Sequence, residues 1–339
     1  MRPNGDTTTE DLFLVAGVGS VGSRHLSNLQ ALGQKNLLLY RTGKGSTGLD
    51  LPRGDFQVAS NLEDALSRRP AAVIVSNPTA LHVETALSAA RAGAHLLIEK
   101  PLSSSMDGVE ELAFEVAERG LAALVAYQFR FHPGLRAVKG WLEEGRIGQV
   151  VSAHVFWGEY LPGWHPWEDY RFSYSALPEL GGGVIHTLSH PIDYLGWLLG
   201  PVESVSAQTG RLSGLAVWVE DAAMLTLRHQ GGTLASIYLD YARRPPRHDL
   251  EIVGSEGTIR WDNADGVARL FHAESEQWMK AGPPEGFQRN SLFLGEIEHF
   301  LACIAGRESP ACSLDDGIQA LRVALAAHRS AEEGRRIHV

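Results

Sequence analysis

The glycine-rich segment Gly17-Val18-Gly19-Ser20-Val21-Gly22 constrains this chain more than any other stretch. It follows the apolar run Leu12-Phe13-Leu14-Val15-Ala16 and precedes a stretch with Leu26, Leu29 and Leu32 at helical spacing that stops at Gly33. Strand, turn and helix in that order predict the opening of a parallel βαβ unit, and Asn36-Leu37-Leu38-Leu39-Tyr40 supplies its second strand. The three glycines serve different ends. The first makes the tight turn, the second lets backbone approach a pyrophosphate, and the third lets helix pack on strand. A helix that starts there turns unpaired N–H groups and a positive dipole end toward the phosphates. Gly17, Gly19, Ser20, Val21 and Gly22 are therefore expected to hold a dinucleotide.

The pattern continues through the first third of the chain. Strand-like 71–76, a helix over 80–92, a strand over 95–100, a helix over 106–119 and a strand over 122–126 predict an α/β, doubly wound parallel sheet covered on both faces. We expect a dinucleotide-binding domain over 1–130 and a second α/β domain over 131–339, bridged by a helix in 133–145. From 149 the pattern turns β-rich, with runs at 150–156, 202–209, 222–228, 233–241 and 249–253. Turns such as Gln230-Gly231-Gly232 and Ser255-Glu256-Gly257 favour hairpins in a large open, antiparallel or mixed sheet. Ile237, Leu239 and Tyr241 form an apolar face, while Ser236, Tyr238 and Asp240 form a mixed one that is either wet or a subunit contact. Helices are expected over 292–305 and 315–333, the last packing back on the first domain.

Bulk properties narrow the function. A chain of 339 residues has room for two cores, and a net charge of −10 argues against a nucleic-acid surface. The two cysteines, Cys303 and Cys312, make neither a disulfide framework nor a four-ligand zinc site, which points to a reducing, cytoplasmic setting. The polar segment 1–9 lacks the apolar core of a signal peptide, and no apolar run is long enough to span a bilayer.

Candidate chemistry gathers where strands end. Lys100, in Glu99-Lys100-Pro101, stands at the carboxyl end of a strand, where ligands bind in open α/β sheets, and a lysine there can orient a hydroxyl and help remove its proton. His186-Thr187-Leu188-Ser189-His190 places two imidazoles one helical turn apart on one face, if the helix is continuous. That spacing also suits a metal pair, but beyond His132 and His165 no further ligand is evident, so no metal is expected. Asn77 and Pro78 follow a strand and are expected to edge the cofactor, with His82 capping or packing the next helix. The segment 127–132, including Tyr127 and Arg130, is expected to line the crevice. The loop 160–171 mixes Trp164, Trp167 and Tyr170 with Asp169 and Arg171, which suits stacking on a sugar ring and holding a carboxylate, or else a lid or oligomer arm. The second strand ends in Tyr40-Arg41-Thr42-Gly43-Lys44 with the nearest acid, Asp50, far beyond it. Arg41, helped by Thr42 and Lys44, suits a 2′-phosphate and favours NADP over NAD, unless Arg41 only stacks on adenine.

Taken together, Gly17-x-Gly19-x-x-Gly22 with Arg24-His25, Asn77-Pro78-Thr79-x-x-His82, Glu99-Lys100-Pro101, and Gly181-Gly182-Gly183 followed by His190-Pro191-Ile192-Asp193 resemble the glucose-fructose oxidoreductase, inositol dehydrogenase and rhizopine-catabolism (Gfo/Idh/MocA) family across nearly the whole chain. The resemblance implies a Rossmann domain plus an open-sheet domain, and hydride transfer between NAD(P) and a sugar, sugar acid or cyclitol. It also implies homodimers or homotetramers built through the open sheet. It assigns cofactor contacts to Glu99 and Lys100 and an acid/base role to His190 beside Lys100, while His186 stands where an aspartate is common. The loop 160–171 further resembles members linked to nine-carbon sialic-type sugars. Two alternatives stay open: hydrolysis or elimination by transient oxidation with a recycled dinucleotide, and a non-catalytic dinucleotide sensor.

Overall fold

The computed structural model describes residues 10–43, 54 and 56–339. The segment 1–9, Lys44 and Asp50 lie outside the described residues. The first sheet is built from β1 (Phe13–Ala16), β2 (Leu37–Tyr40), β3 (Gln57–Ala59), β4 (Ala72–Val75), β5 (His95–Glu99) and β6 (Ala123–Ala126), in the order β3-β2-β1-β4-β5-β6. All its pairings are parallel. Helices α1 (Ser20–Ala31), α2 (Leu62–Ser67), α3 (His82–Arg91) and α4 (Val109–Glu118) connect its strands. Leu14, Val73 and Leu96 point into one core and Phe13, Ile74 and Leu97 into another, because successive side chains of a strand alternate across the sheet. Both faces are covered, which is why these strands read as unbroken apolar runs. The strand order reverses between β1 and β4, and a crevice opens outside their carboxyl ends.

The helix α5 (Pro133–Glu143) starts with proline in its first turn, and Nδ1 of the N-cap His132 accepts from Gly134 N at 3.0 Å. The second half holds β7 (Val150–Gly158), α6 (Val184–Thr187), α7 (His190–Leu199), β8 (Val202–Gly210), β9 (Ala222–His229), β10 (Leu234–Asp240), β11 (Arg247–Gly254), β12 (Gly257–Asp262), β13 (Ala268–His272), β14 (Gln277–Ala281), α8 (Arg289–Ile304), α9 (Leu314–Glu333) and β15 (Ile337–His338). Its strands form a nine-stranded mixed sheet, β14-β13-β12-β11-β7-β10-β9-β8-β15. Only β7 and β10 pair in parallel; the remaining pairs are antiparallel.

Ile237, Leu239 and Tyr241 are fully buried, as expected, with Ala153, Val155 and Trp157 of β7 on the same side. On the opposite side Phe156 and Tyr238 stack at 4.7 Å and Met224 is exposed. Strands β3, β12, β13, β14 and β15 and helix α2 were not anticipated; β3 and β14 are largely exposed, β15 spans two residues, and β12 and β13 bury only alternate residues, so none of these strands shows an apolar run. Just before α9 begins, Val125 N of β6 donates to Cys312 O at 3.1 Å. Further along α9, Ser330 Oγ accepts from Ala207 N of β8 at 3.0 Å, so one helix ties the two sheets together.

Candidate active site

The turn after β1 has the geometry that its glycines imply. Gly17 has φ +99°, and a Cβ there would stand 2.4 Å from Asn77 N; a Cβ on Gly22 would stand 2.0 Å from Gly17 O. Neither position has room for a side chain. Gly19 is the N-cap of α1 and no side chain caps that helix, so its first N–H groups stay available to an anion. The turn forms one wall of a cleft of about 1620 Å³ that also receives Arg24, Arg41, Thr42, Asn77, Lys100 and His190. An uncapped helix start behind a turn without room for side chains fits a dinucleotide pyrophosphate.

His82 is more than a cap. It is buried, its Nδ1 lies 2.9 Å from Pro101 O and its Nε2 2.8 Å from Asn77 O, so it clamps the loop carrying Asn77-Pro78 to the loop carrying Lys100-Pro101. Burial holds its pKa below the ordinary histidine value, so a neutral ring donates to one of the two carbonyls.

Lys100 ends in the cleft, where its Nζ donates to Thr187 O at 2.8 Å and keeps two further N–H donors. The neighbouring Glu99 is buried: His25 Nε2 lies 2.6 Å from its Oε1, and its Oε2 accepts from Lys100 N at 3.2 Å. Burial pushes the Glu99 carboxyl up, but the His25 hydrogen bond and the nearby charges outweigh it and hold the pKa below the usual range.

His190 opens α7 and lines the cleft, with only 2% of its surface exposed. The rings of Phe129, Tyr127 and Trp157 surround it at 4.9, 5.4 and 5.6 Å between centroids. Burial first, then the charges of Lys100, His248 and Arg289, push its pKa well below the ordinary value, so the imidazole is neutral and able to take a proton. Its Nδ1 has no hydrogen-bond partner.

Several expected site residues lie elsewhere. His186 and His190 do not share a face, because α6 ends at Thr187 and Leu188, with φ −100° and ψ 39°, breaks the helix before α7. The His186 ring instead meets His328 of α9 at 4.8 Å, outside the cleft lining, and burial lowers its pKa to about 3. Arg130 is buried in a fork with Asp193, with Nη2 at 2.7 Å from Oδ1, and also reaches Asp316 and Ala311 O; it ties α7 to the start of α9 rather than facing the cleft. Tyr127 lies behind His190, its hydroxyl donating to Ser189 Oγ at 3.3 Å. Trp164 does line the cleft, edge-on to Tyr241, whereas Asp169 and Arg171 pair with each other outside it.

Phe129, within the segment 127–132 expected at the crevice, does line the cleft, and so do Trp157 and Arg289, which the sequence did not single out. Arg289 arrives from α8, far along the chain, with no local motif to mark it. Behind His190, the buried His248 ring stacks on Trp157 at 4.2 Å, and burial lowers its pKa to about 3. Among the described residues no three His, Cys, Asp or Glu side chains converge as metal ligands.

Residues 12–127 match the family described as an oxidoreductase family with an NAD-binding Rossmann fold, and residues 135–260 match the Gfo/Idh/MocA C-terminal domain. The 1,5-anhydro-D-fructose reductase of Ensifer adhaerens is 30% identical over 276 residues, 78% of either chain. The chain belongs to the Gfo/Idh/MocA family of oxidoreductases. Another relative in the family, the 2,7-anhydro-N-acetylneuraminate hydratase of Escherichia coli, is 29% identical over 220 residues, 64% of this chain and 56% of that one. The fold is shared with a levoglucosan dehydrogenase solved with NADH and levoglucosan, with a TM-score of 0.83 and 20% identity over 97% of this chain and 99% of that one. No helix among the described residues is long and apolar enough to cross a membrane.

Proposed function

We propose that this oxidoreductase exchanges a hydride between a nicotinamide dinucleotide and a secondary alcohol or ketone of an acidic sugar, with Lys100 and His190 as its catalytic residues. The observation that carries the reading is the convergence, in the cleft beside the glycine turn, of a lysine with free donors and a neutral, buried histidine. A dinucleotide held by the turn from Gly17 to Gly22 would supply a nicotinamide able to take a hydride in the oxidative direction and return it in the other. In oxidation, Lys100 donates to the substrate hydroxyl oxygen and stabilises the negative charge that grows there. His190 takes the proton, and its apolar shell of Phe129, Tyr127 and Trp157 keeps it unprotonated beforehand. In reduction the same groups return the proton.

The cleft walls support a sugar ring bearing an anion. Trp164 and Tyr160 line the cleft, and Arg244 lies 4.0 Å over the Tyr160 ring. Arg243, Arg244 and Arg289 also line the cleft, and a carboxylate on the sugar would give them a counterpart. Arg41 at the end of β2 favours NADP over NAD. The uncovered face around Phe156, Tyr238 and Met224 suits self-association as a dimer or tetramer, and two unpaired cysteines suit the cytoplasm.

A second reading has one observation in its favour, the hydratase among the relatives: transient oxidation of the sugar with the dinucleotide restored in place. Mixing the protein with each dinucleotide and a panel of neutral sugars and their uronic and aldonic acids, while following reduced-nicotinamide absorbance and product, separates these readings. Net reduction with the acids supports the dehydrogenase. Product without net reduction supports recycling, and tight dinucleotide binding without either supports a sensor.

A further inference from the structure

The segment Gly181-Gly182-Gly183 is packed against its surroundings at every residue. A Cβ on Gly181 would stand 2.9 Å from Thr79 Cβ, one on Gly182 2.5 Å from Tyr174 O, and one on Gly183 2.4 Å from Glu220 Oε1. The last of these close approaches is to a carboxyl group. Gly183 also has φ +105°, a conformation that glycine alone adopts readily.

Backbone brings Glu220 to this place: Val184 N donates to Glu220 O at 3.1 Å. Ile185 N then donates to Glu220 Oε1 at 3.2 Å. Gly183 is the N-cap of α6 and has no side chain with which to cap it, so a carboxyl 35 residues beyond Ile185 does the work of an N-cap side chain. The Glu220 side chain is 14% exposed and lies outside the cleft lining. Burial pushes its carboxyl up to about 7 against the pull of the backbone N–H groups, and in either protonation state it keeps an oxygen able to accept. His328 Nε2, at 3.9 Å from the same oxygen, is beyond hydrogen-bond distance and does not compete for it.

The helix that Glu220 caps is a single turn, in which Thr187 N and Leu188 N return to Gly183 O and Val184 O at 2.9 Å each. So short a turn is not stable by itself, and its place is set by what holds its ends. One end is held by Glu220. At the other, Thr187 O accepts from Lys100 Nζ at 2.8 Å.

We propose that Glu220 is a positioning residue for Lys100: it seats α6 through the Ile185 amide, and α6 in turn holds the Thr187 carbonyl that takes one N–H of the ammonium and leaves the other two for the cleft. Gly183 makes the room for this contact.

The test uses the full chain labelled with ¹⁵N-isoleucine, the Ile185 amide being the signal lost in Ile185→Val. In wild type that amide proton should show the weak temperature dependence of a hydrogen-bonded N–H. Glu220→Gln, which keeps a side-chain oxygen, should preserve the bonded signal, and Glu220→Leu should move it upfield. An unbonded Ile185 amide in wild type overturns the proposal even if the Leu variant fails to fold, as does a signal indifferent to Glu220→Leu. The turnover arm rests on the role given to Lys100 above, whereas the amide arm does not. On the sugar that the panel identifies, Glu220→Leu should slow single-turnover hydride transfer about tenfold to a hundredfold, as a displaced catalytic group does, with dinucleotide Kd within about threefold, and Glu220→Gln should recover most of the rate. In a Lys100→Met background Glu220→Leu should cost less than about threefold more, because a residue that acts through the lysine has nothing left to position. Equal losses in the two backgrounds, or in the Leu and Gln variants, would overturn the positioning role. Wild-type hydride transfer in Lys100→Met would overturn the role of Lys100 and the positioning role with it, while the Ile185 contact would stand or fall by the amide signal.

Discussion

Replacing Arg130 by methionine should destabilise the fold without touching the reaction. In wild type the guanidinium makes three hydrogen bonds to Asp193, whose side chain is fully buried, and one to Ala311 O. Removing the cation leaves a buried carboxylate unpaired, and loss of one partner from such a pair costs about 3–5 kcal/mol. With an unfolding entropy of about 2.1 cal/mol/K per residue over 339 residues, that corresponds to a fall of about 4–7 °C in the apparent Tm. The deficit should depend on pH in a stated direction. Burial already pushes the Asp193 carboxyl up, and without Arg130 only the Cys312 hydrogen bond opposes it, so the folded variant takes up a proton that the unfolded chain takes up only at lower pH. The gap to wild type should therefore be widest at neutral pH and above, and should narrow as pH falls. Arg130→Met with Asp193→Asn should recover part of the loss. Differential scanning fluorimetry across pH, paired with KM and kcat at a temperature where both proteins are folded, checks this. An unchanged Tm with a raised substrate KM would show that Arg130 faces substrate after all and that the packing argument is wrong.

Other outcomes follow from the same geometry. His190→Asn should remove the acidic limb of the pH–rate profile, a limb that in wild type lies below the ordinary histidine range because burial and Lys100 lower that pKa; His186→Asn, altering a ring packed on His328, should keep the limb, and the reverse pattern would overturn the assignment. Arg41→Ala should weaken NADP binding at least tenfold and leave NAD affinity within about twofold, measured by titration; tighter NAD binding by wild type would contradict the NADP reading.

Much of the first sheet was legible because β1, β4 and β5 are buried on both faces and so appear as apolar runs separated by helices. Lys100 was legible for a related reason, since it follows directly on such a run. The pairing of His186 with His190 failed at Leu188: periodicity counts residues as if a helix continued, and a single non-helical residue rotates everything beyond it. Arg130, Asp169 and Arg171 show the other limit. A charge in a sequence does not name its partner, and that of Arg130 lies 63 residues away while those of Asp169 and Arg171 are each other. Arg289 had no local signal at all, because α8 belongs to the second half of the chain and returns to pack on α1 of the first.

The central claim, that Lys100 acts on the substrate oxygen in a cleft whose dinucleotide rests on the separate glycine turn, is tested most directly by Lys100→Met in single-turnover absorbance measurements with saturating dinucleotide and the sugar that wild type turns over. Loss of the developing alkoxide's charge partner should slow hydride transfer by about a thousandfold or more while dinucleotide Kd stays within about threefold. Near wild-type hydride transfer in Lys100→Met, or loss of dinucleotide binding as its main effect, would contradict it.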